Sequence, residues 1–200
     1  MKNELQIREA LIENTIHLIA EGGFEKATTR NIAQYGNHDL GVTLNDAHIY
    51  RIFGSKEALY GEAFARLNDE LFAFMCRGFD KVDFVNKPIK GELHRLFVNL
   101  WNFVLAKEPR TRAFTRYYYS IYLKEASLRR HREAFDVVAG RMKAIFKEEA
   151  DVNAIMHNIL TSILGFAVRV FNGDILNSES NTEHIFNVLY SSLVPYLKES

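Results

Sequence analysis

The stretch N-D-A-H-I-Y-R-I-F-G-S-K-E-A-L, which runs from Asn45 to Leu59, decides the fold that we expect for this chain. It predicts a short helix, a tight turn at Gly54 and a second helix. Upstream, the pair Gly22-Gly23 can end one helix, and Thr28 can cap the next one by accepting a backbone hydrogen bond. Two short helices in series therefore predict a helix-turn-helix.

Two blocks in this region resemble the DNA-binding domain of TetR-family transcriptional regulators. They are G-F-E-K-A-T-T-R-N-I-A (Gly23 to Ala33) and I-Y-R-I-F-G-S-K-E-A-L (Ile49 to Leu59). The resemblance implies an all-α protein, in which an N-terminal three-helix helix-turn-helix DNA-binding domain precedes a helical ligand-binding and dimerisation domain. We place the first domain at residues 1–54 and the second at residues 55–200.

The segment from Gln34 to Leu44 is longer than its counterpart in most members of the family. The added residues include the turn formers Gly36, Asn37, His38, Asp39 and Gly41. We therefore expect an enlarged turn between the two short helices.

The net charge of the chain is zero, and acidic residues outnumber basic ones before residue 60. This balance alone does not favour binding to phosphates. Five of these eight acids lie on the predicted first helix, Leu5 to Glu21, or beside its ends, and this helix can face away from DNA; they are Glu4, Glu9, Glu13, Glu21 and Glu25. By contrast, Arg30, Arg51 and Lys56 lie in or beside the expected reading surface.

The expected DNA contacts follow from the residue types and from the resemblance. Asn45, Asp46 and His48 begin the recognition helix, where side chains of these types can reach base edges in the major groove. The resemblance implies that Tyr50 and Lys56 hold phosphates, and Arg51 stands where relatives often have His. The full expected set is Thr28, Thr29, Arg30, Asn45, Asp46, His48, Tyr50, Arg51 and Lys56. The alternative is an ordinary polar cap followed by a surface turn.

A long apolar stripe from Ser55 to about Phe79 predicts one helix that begins in the DNA-binding domain and ends in the second domain. Ser55 can cap its start. Such a helix can act as a lever between the two domains. The segment Gly78 to Gly91, with Pro88, predicts a connector after it.

A tyrosine-rich segment follows the predicted helix Pro88 to Lys107. We expect Pro109 to open another helix that carries Phe114, Tyr117, Tyr118, Tyr119, Ile121 and Tyr122. A buried tyrosine hydroxyl needs a hydrogen-bond partner. One interpretation is a ligand pocket around Trp101, Tyr118, Tyr122 and Phe166; the other is a core of aromatic rings whose hydroxyls reach the surface.

Four consecutive polar residues, Arg129, Arg130, His131 and Arg132, form a basic run. A solvated helix face or a turn explains such a run. The alternative is attraction of an anionic ligand or of flanking DNA.

The last two predicted helices, about Asp151 to Phe171 and Thr182 to Leu197, are apolar on two faces. One face can pack in the chain's own core, and the other needs a partner. A two-fold homodimer through a four-helix bundle satisfies both, as the resemblance also implies. The expected interface residues are Ile159, Ile163, Phe166, Leu189 and Tyr196.

No catalytic or cofactor motif is visible in the sequence. None of the seven histidines has a Glu three residues before it, and a single cysteine, Cys76, excludes a Cys-based zinc site. We therefore expect no enzyme activity, no metal and no cofactor. The run Val152 to Val168 is read as a buried helix of a soluble protein, with no membrane segment and a cytoplasmic location.

Together with these patterns, the resemblance implies a ligand-responsive transcriptional regulator that binds a palindromic double-stranded DNA operator as a homodimer. It implies a repressor, because repression is the common mode of the family. Its small-molecule effector is expected to be apolar or aromatic. The competing interpretation is a helical dimer of the same fold that binds a ligand or protein partner without binding an operator.

Overall fold

A computed structural model describes residues 2–36 and 43–198, and it is helical almost throughout. The predicted enlarged turn lies largely in residues 37–42, outside the described residues. The α-helices are α1 (Lys2–Lys26), α2 (Thr29–Gln34), α3 (Asp46–Phe53), α4 (Lys56–Phe79), α5 (Ile89–Ala106), α6 (Glu108–Tyr118), α7 (Glu125–Met142), α8 (Val152–Phe171) and α9 (Glu179–Leu193).

Local signals set the ends of the first helices, as the sequence predicts. Gly23 interrupts α1 with a φ of 74°, a left-handed conformation that glycine adopts without strain. The Thr28 hydroxyl then accepts the backbone N–H of Asn31 at 3.2 Å and caps α2. In α4, the Ser55 hydroxyl accepts the N–H of Ala58 at 3.0 Å. The predicted caps at Thr28 and Ser55 are therefore confirmed.

The chain divides into two compact units. The first comprises Met1–Asp69 and Pro109–Arg130, and the second comprises Glu70–Glu108 and His131–Ser200. Helix α4 contributes residues to both units. Within the first unit, Ile16, Ile32, Ile49, Leu59 and Phe64 are among the fully buried side chains. The division into domains at residue 54 stays a prediction about which segments fold independently.

The tyrosine-rich segment differs from the expectation. Helix α6 ends at Tyr118, so Tyr119, Ile121 and Tyr122 lie in the turn that follows and do not surround a helix. Ser120 provides the physical reason, because its hydroxyl donates to the Tyr117 carbonyl at 2.7 Å and accepts the Tyr122 N–H at 3.1 Å. Local side-chain bonds of this kind compete with the helical ones.

The last two helices, α8 and α9, lie close to their predicted positions in the sequence. Asp151 caps α8 by accepting the N–H of Ala154 at 3.0 Å. Helix α9 begins at Glu179, three residues before the predicted Thr182, and ends at Leu193; a short 3-10 turn, Val194–Tyr196, follows. The predicted final helix was therefore too long at its end, and Pro195 in that turn lacks the N–H that a continuing helix would use.

Candidate nucleic-acid interface and apolar cavity

The two short helices of the first unit are joined at their N-terminal ends. The hydroxyl of Thr29, the first residue of α2, donates to the carboxylate of Asp46, the first residue of α3, at 3.1 Å. Both are in the expected DNA-binding set. Asp46 is therefore already engaged in holding α3 against α2, and this fixes where the recognition helix begins.

Asn45 and His48 form a second local arrangement at the start of α3. The His48 Nδ1 atom lies 3.3 Å from the backbone nitrogen of Asn45 and 3.0 Å from its side-chain oxygen. In a neutral imidazole, Nδ1 either accepts the Asn45 backbone N–H or donates to the Asn45 side-chain oxygen, depending on the tautomer. The ring is thus folded back on the helix N-terminus, and only its Nε2 atom is turned to other partners.

The remaining residues of the expected set lie on accessible positions. Tyr50 is 55% exposed, and Arg30 and Arg51 are also exposed. Ile49, between them, is completely buried and fixes the orientation of α3. The Lys56 ammonium at the start of α4 lies 5.6 Å from the centre of the Tyr60 ring. The chain therefore presents hydroxyl and cationic groups at the end of α3 and the beginning of α4.

Tyr60 is a residue that the sequence reasoning missed. Its side chain is completely buried, and its hydroxyl donates to the Ala27 carbonyl at 2.6 Å, immediately before the cap of α2. Burial raises the pKa of the Tyr60 phenol well above its usual value. Phe24 and Tyr122 pack against the ring, with centroids 5.0 Å away in each case. The only feature of the sequence that could have indicated this role is the position of Tyr60, an aromatic residue one helical turn after Lys56.

Helix α6 anchors α1 through two arginines. The Arg110 guanidinium contacts both carboxylate oxygens of Glu13 at 2.8 Å. Arg116 donates to the carbonyls of Ile19 and Ala20 at 2.6 and 2.9 Å, near the point where Gly23 breaks α1. Cations near the C-terminal carbonyls of a helix stabilise it. The sequence reasoning did not assign a role to either arginine.

The second unit contains an apolar cavity of about 90 Å3. Its walls come from the C-terminal part of α4 and from α5, α8 and α9, with one residue of α7. Most of its lining side chains are aliphatic, aromatic or thioether groups, among them Phe74, Leu96, Phe97, Met156, Leu160 and Phe186. The chemistry of this cavity therefore suits an apolar guest.

The four residues expected to form a ligand pocket are not brought together there. Tyr118 and Tyr122 belong to the first unit, whereas Trp101 and Phe166 belong to the second. Trp101 is buried and donates its indole N–H to the Thr182 hydroxyl at 3.2 Å. Tyr122 packs against Phe24, with ring centroids 4.5 Å apart. None of these four residues lines the cavity of the second unit, and the expected pocket around them stays a prediction.

The expected interface residues fall into two groups. Ile163 and Leu189 are only 3% and 7% exposed and line the cavity, so they belong to the interior of the second unit. Ile159 on α8 also lines the cavity but is only half-buried, Phe166 is half-buried as well, and Tyr196 is exposed. Val188 on α9, which shares the predicted outer face, is 48% exposed. Apolar area therefore remains uncovered on the last two helices.

The residues of the basic run differ in their exposure to solvent. His131 is buried beside Phe72, with ring centroids 5.3 Å apart, whereas Arg129 and Arg132 are exposed. Burial, together with His157 and Arg132, lowers the pKa of His131 to about 4. The interpretation of the whole run as a solvated face was wrong for this histidine.

Two further features concern metals and membranes. Within residues 2–36 and 43–198, no group of three or more His, Cys, Asp or Glu side chains could hold a metal ion. In the same part of the chain, only α8 is long and apolar enough to cross a bilayer by length and composition, a property shared by core helices of soluble proteins. One such helix does not indicate a membrane protein.

Comparison with known families identifies the N-terminal region. Residues 11–63 match the family model described as "Bacterial regulatory proteins, tetR family". These residues include α2, α3 and the beginning of α4. No curated protein sequence matches the chain.

Solved structures share the fold over nearly the whole chain. A TetR family transcription regulator from Marinobacter aquaeolei VT8 is 17% identical with a TM-score of 0.72, and the match covers 99% of this chain and 97% of that one. A TetR-family regulator from Haemophilus influenzae Rd is 14% identical with a TM-score of 0.68, covering 99% and 100%. The fatty acid degradation regulator FadR from Bacillus halodurans is 14% identical with a TM-score of 0.64, covering 91% and 93%.

Proposed function

We propose that this chain, which belongs to the TetR family of bacterial regulatory proteins, is a homodimeric repressor that releases a palindromic operator when an effector binds in its second unit. That it is a DNA-binding regulator of transcription, and not an enzyme, follows from the family match and from the fold of the related structures. Repression, the palindrome, the dimer and the effector are the proposal.

The observation that carries the proposal is the surface formed by α3 and the start of α4. The Thr29–Asp46 hydrogen bond and the buried Ile49 fix α3, while Tyr50, Arg51 and Lys56 remain accessible beside it. A rigid helix with accessible polar side chains is what insertion into a major groove requires.

We divide the expected contacts into two classes. Tyr50 and Lys56 are assigned to phosphates, which position the protein without reading sequence. Arg51 and the outer edge of His48 are assigned to bases, because guanidinium groups bond well to guanine and imidazole nitrogens to purines. Asp46 acts chiefly as a positioning residue through Thr29.

The dimer is supported by the uncovered apolar area of α8 and α9, represented by Phe166 and Val188. A two-fold axis through these helices would bury that area and repeat the reading surface. Two recognition helices about 34 Å apart then meet successive major grooves on one side of the duplex, which makes the operator a palindrome.

The effector response rests on the cavity of the second unit and on the continuity of α4. A ligand changes DNA affinity only if it binds the DNA-competent and incompetent states unequally. Helix α4 carries residues of both units, from Lys56 near the reading surface to Phe74 and Phe79 in the cavity wall. A shift of this helix is the difference that we propose; such couplings usually amount to about 1–3 kcal/mol.

A DNA-binding measurement tests the proposal. Purified protein is titrated into the labelled DNA upstream of its own coding sequence, and into a shuffled duplex of equal length, at low and moderate salt. We expect a specific complex with the upstream DNA and affinity that falls steeply with salt. Equal, weak binding to both duplexes would instead favour the helical dimer that binds a ligand or protein partner without an operator.

A further inference from the structure

Two short segments of the second unit, residues 143–147 and 194–198, have the same design. Each consists of a 3-10 turn, a buried apolar residue and a lysine. The two apolar residues, Phe146 and Leu197, form an antiparallel β-bridge, so the segments lie side by side. The lysines that end the two segments therefore occupy equivalent positions.

These lysines, Lys147 and Lys198, are held by hydrogen bonds to the opposite segment. Their backbone N–H groups donate across the bridge to main-chain carbonyls, each at 2.9 Å. The Lys147 ammonium also donates to the Pro195 carbonyl at 2.8 Å. In the same way, the Lys198 ammonium donates to the Ala144 carbonyl at 2.8 Å. An ammonium has three N–H donors, so each of these groups is fixed in place and keeps two donors for another partner.

An open cavity of about 490 Å3 lies beside the two segments, and we call it the lysine cavity. Its lining carries the ammonium groups of Lys143, Lys147 and Lys198 and one carboxylate, that of Glu148. No residue lines both this cavity and the apolar cavity of the second unit. The lysine cavity is therefore a separate feature of the fold.

The charges of the lysine cavity are not neutralised by the protein itself. Within residues 2–36 and 43–198, neither its three lysines nor Glu148 takes part in an ion pair. Three ammonium groups against one carboxylate leave an excess of two positive charges. Like charges around one cavity repel each other, and a bound anion removes this repulsion. A phosphoryl group carries a charge of about −1.5 to −2 at neutral pH and matches the excess.

A purely structural role explains only part of this arrangement. Lysine side chains often bond the last carbonyls of a helical turn, and Lys147 and Lys198 do so here. Such a role does not account for Lys143, which is exposed and whose side chain makes no hydrogen bond within the described residues. It also does not account for the space that the three ammonium groups surround.

The lining also indicates the kind of anion. Lysine binds phosphate as a point charge, whereas a planar carboxylate is matched best by the two parallel N–H groups of arginine. The buried Phe146 and Val152 give the cavity an apolar wall. Its volume lies within the range of about 300–1,000 Å3 that is usual for small-molecule sites. There is thus room for an organic group beside the phosphate.

We propose that the lysine cavity binds a phosphorylated small molecule. The ammonium groups of Lys143, Lys147 and Lys198 hold the phosphoryl group, and the organic part contacts Phe146 and Val152. This inference goes beyond the proposed function, since the site is separate from the effector cavity and from the surface assigned to DNA.

The first test uses the full-length wild-type protein and calorimetric titration with phenyl phosphate, inorganic phosphate and benzoate at equal ionic strength. We expect one phenyl phosphate per chain with a Kd below about 1 mM. Inorganic phosphate lacks the apolar part and benzoate the phosphoryl group, so each should bind at least about threefold more weakly. Absence of saturable phenyl phosphate binding, or benzoate binding of equal affinity, would overturn the proposal.

Exposed residues of the lining locate the binding. Lys143→Ala removes a charge-assisted hydrogen bond, so phenyl phosphate affinity should fall at least about tenfold, with an unchanged melting temperature in the absence of ligand. Glu148→Gln removes the only carboxylate of the lining and should raise the affinity about threefold. The control is Lys87→Ala, an exposed lysine outside the cavity. Unchanged affinity in Lys143→Ala, or no gain in Glu148→Gln, would contradict the site.

Two further measurements separate this site from DNA binding. Phenyl phosphate bound at the DNA-reading surface would lose affinity in Lys56→Ala, and that result would overturn the proposal. Binding of Lys143→Ala to the upstream and shuffled duplexes should equal that of the wild type. Equally weakened binding to both duplexes would assign Lys143 to DNA phosphates and would also overturn it. A chain that takes up phenyl phosphate in this way but binds no operator would refute the regulator and leave the lysine cavity as a phosphate site.

Discussion

The hydroxyl of Tyr60 in α4 donates a 2.6 Å hydrogen bond to the carbonyl oxygen of Ala27, the residue before the Thr28 cap of α2. Both residues are completely buried. The bond fixes the beginning of the helix-turn-helix to the long helix that carries Lys56. Any displacement of this part of α4 must therefore move the start of α2 or break the bond.

Replacing Tyr60 with Phe tests this link. The variant leaves the buried Ala27 carbonyl without its donor, which costs about 1–3 kcal/mol of unfolding free energy. We also expect weaker operator binding, because the hydrogen bond that holds the start of α2 against α4 is lost. Urea denaturation and DNA titration measure the two effects. Tyr119→Phe is the control, since Tyr119 is 70% exposed and should change neither; equal stability of the two variants would contradict the role of Tyr60.

The variant Lys56→Ala tests the assignment of DNA contacts to phosphates or to bases. Because Lys56 is assigned to phosphate, its loss should weaken binding to specific and shuffled duplexes alike and lower the slope of log affinity against log salt by about one. The control is Lys87→Ala, an exposed lysine of the connector between α4 and α5. A Lys56→Ala variant with altered sequence preference and an unchanged salt slope would show that the assignment is wrong.

The dimer prediction uses the exposed apolar residue Val188. Val188→Arg places a charge on the outer face of α9 without disturbing the core, so the free protein should fold but sediment as a monomer. Ile163→Arg would be uninformative, because Ile163 is buried within its own unit. Leu176→Arg, at a 75% exposed position before α9, is the control and should remain a dimer. A wild-type chain that sediments as a monomer at micromolar concentration would refute the dimer.

A pH dependence follows from His131. Burial lowers the pKa of this histidine to about 4 in the folded protein, against about 6.5 in the unfolded chain. Between these values the unfolded state binds more protons, so the free energy of unfolding is retained above about pH 6.5 and declines as pH falls towards 4, by on the order of 3 kcal/mol. His131→Gln should flatten this part of the profile in urea titrations. An identical slope in the variant would exclude His131 as the cause.

Sequence reasoning succeeded where the signal is local. The caps at Thr28 and Ser55, the turn at Gly54 and the start of α5 after Pro88 each depend on a few neighbouring residues. The features around Thr28, Gly54 and Ser55 were sufficient to predict the helix-turn-helix, whereas the all-helical fold was implied by the family resemblance. The same local chemistry, acting through Ser120, ended α6 earlier than the apolar pattern suggested.

Sites that depend on tertiary packing were less predictable. The tyrosine-rich segment contributes an aromatic cluster in the first unit, in which Tyr117 and Tyr122 pack around Phe24. The apolar cavity formed instead among helices far apart in the sequence, where three buried methionines meet. Ile159 and Ile163 both line this cavity, and nothing in the local pattern shows that Ile163 is buried whereas Ile159, one turn earlier, is only half-buried.

The most direct test of the central claim is the affinity of the wild-type protein for its own upstream DNA, compared with a shuffled duplex, at 50 and at 200 mM salt. We expect a specific complex at least about 10³-fold tighter than the non-specific one, with affinity falling by orders of magnitude between the two salt concentrations. Equal affinity for the two duplexes at both salt concentrations would contradict it.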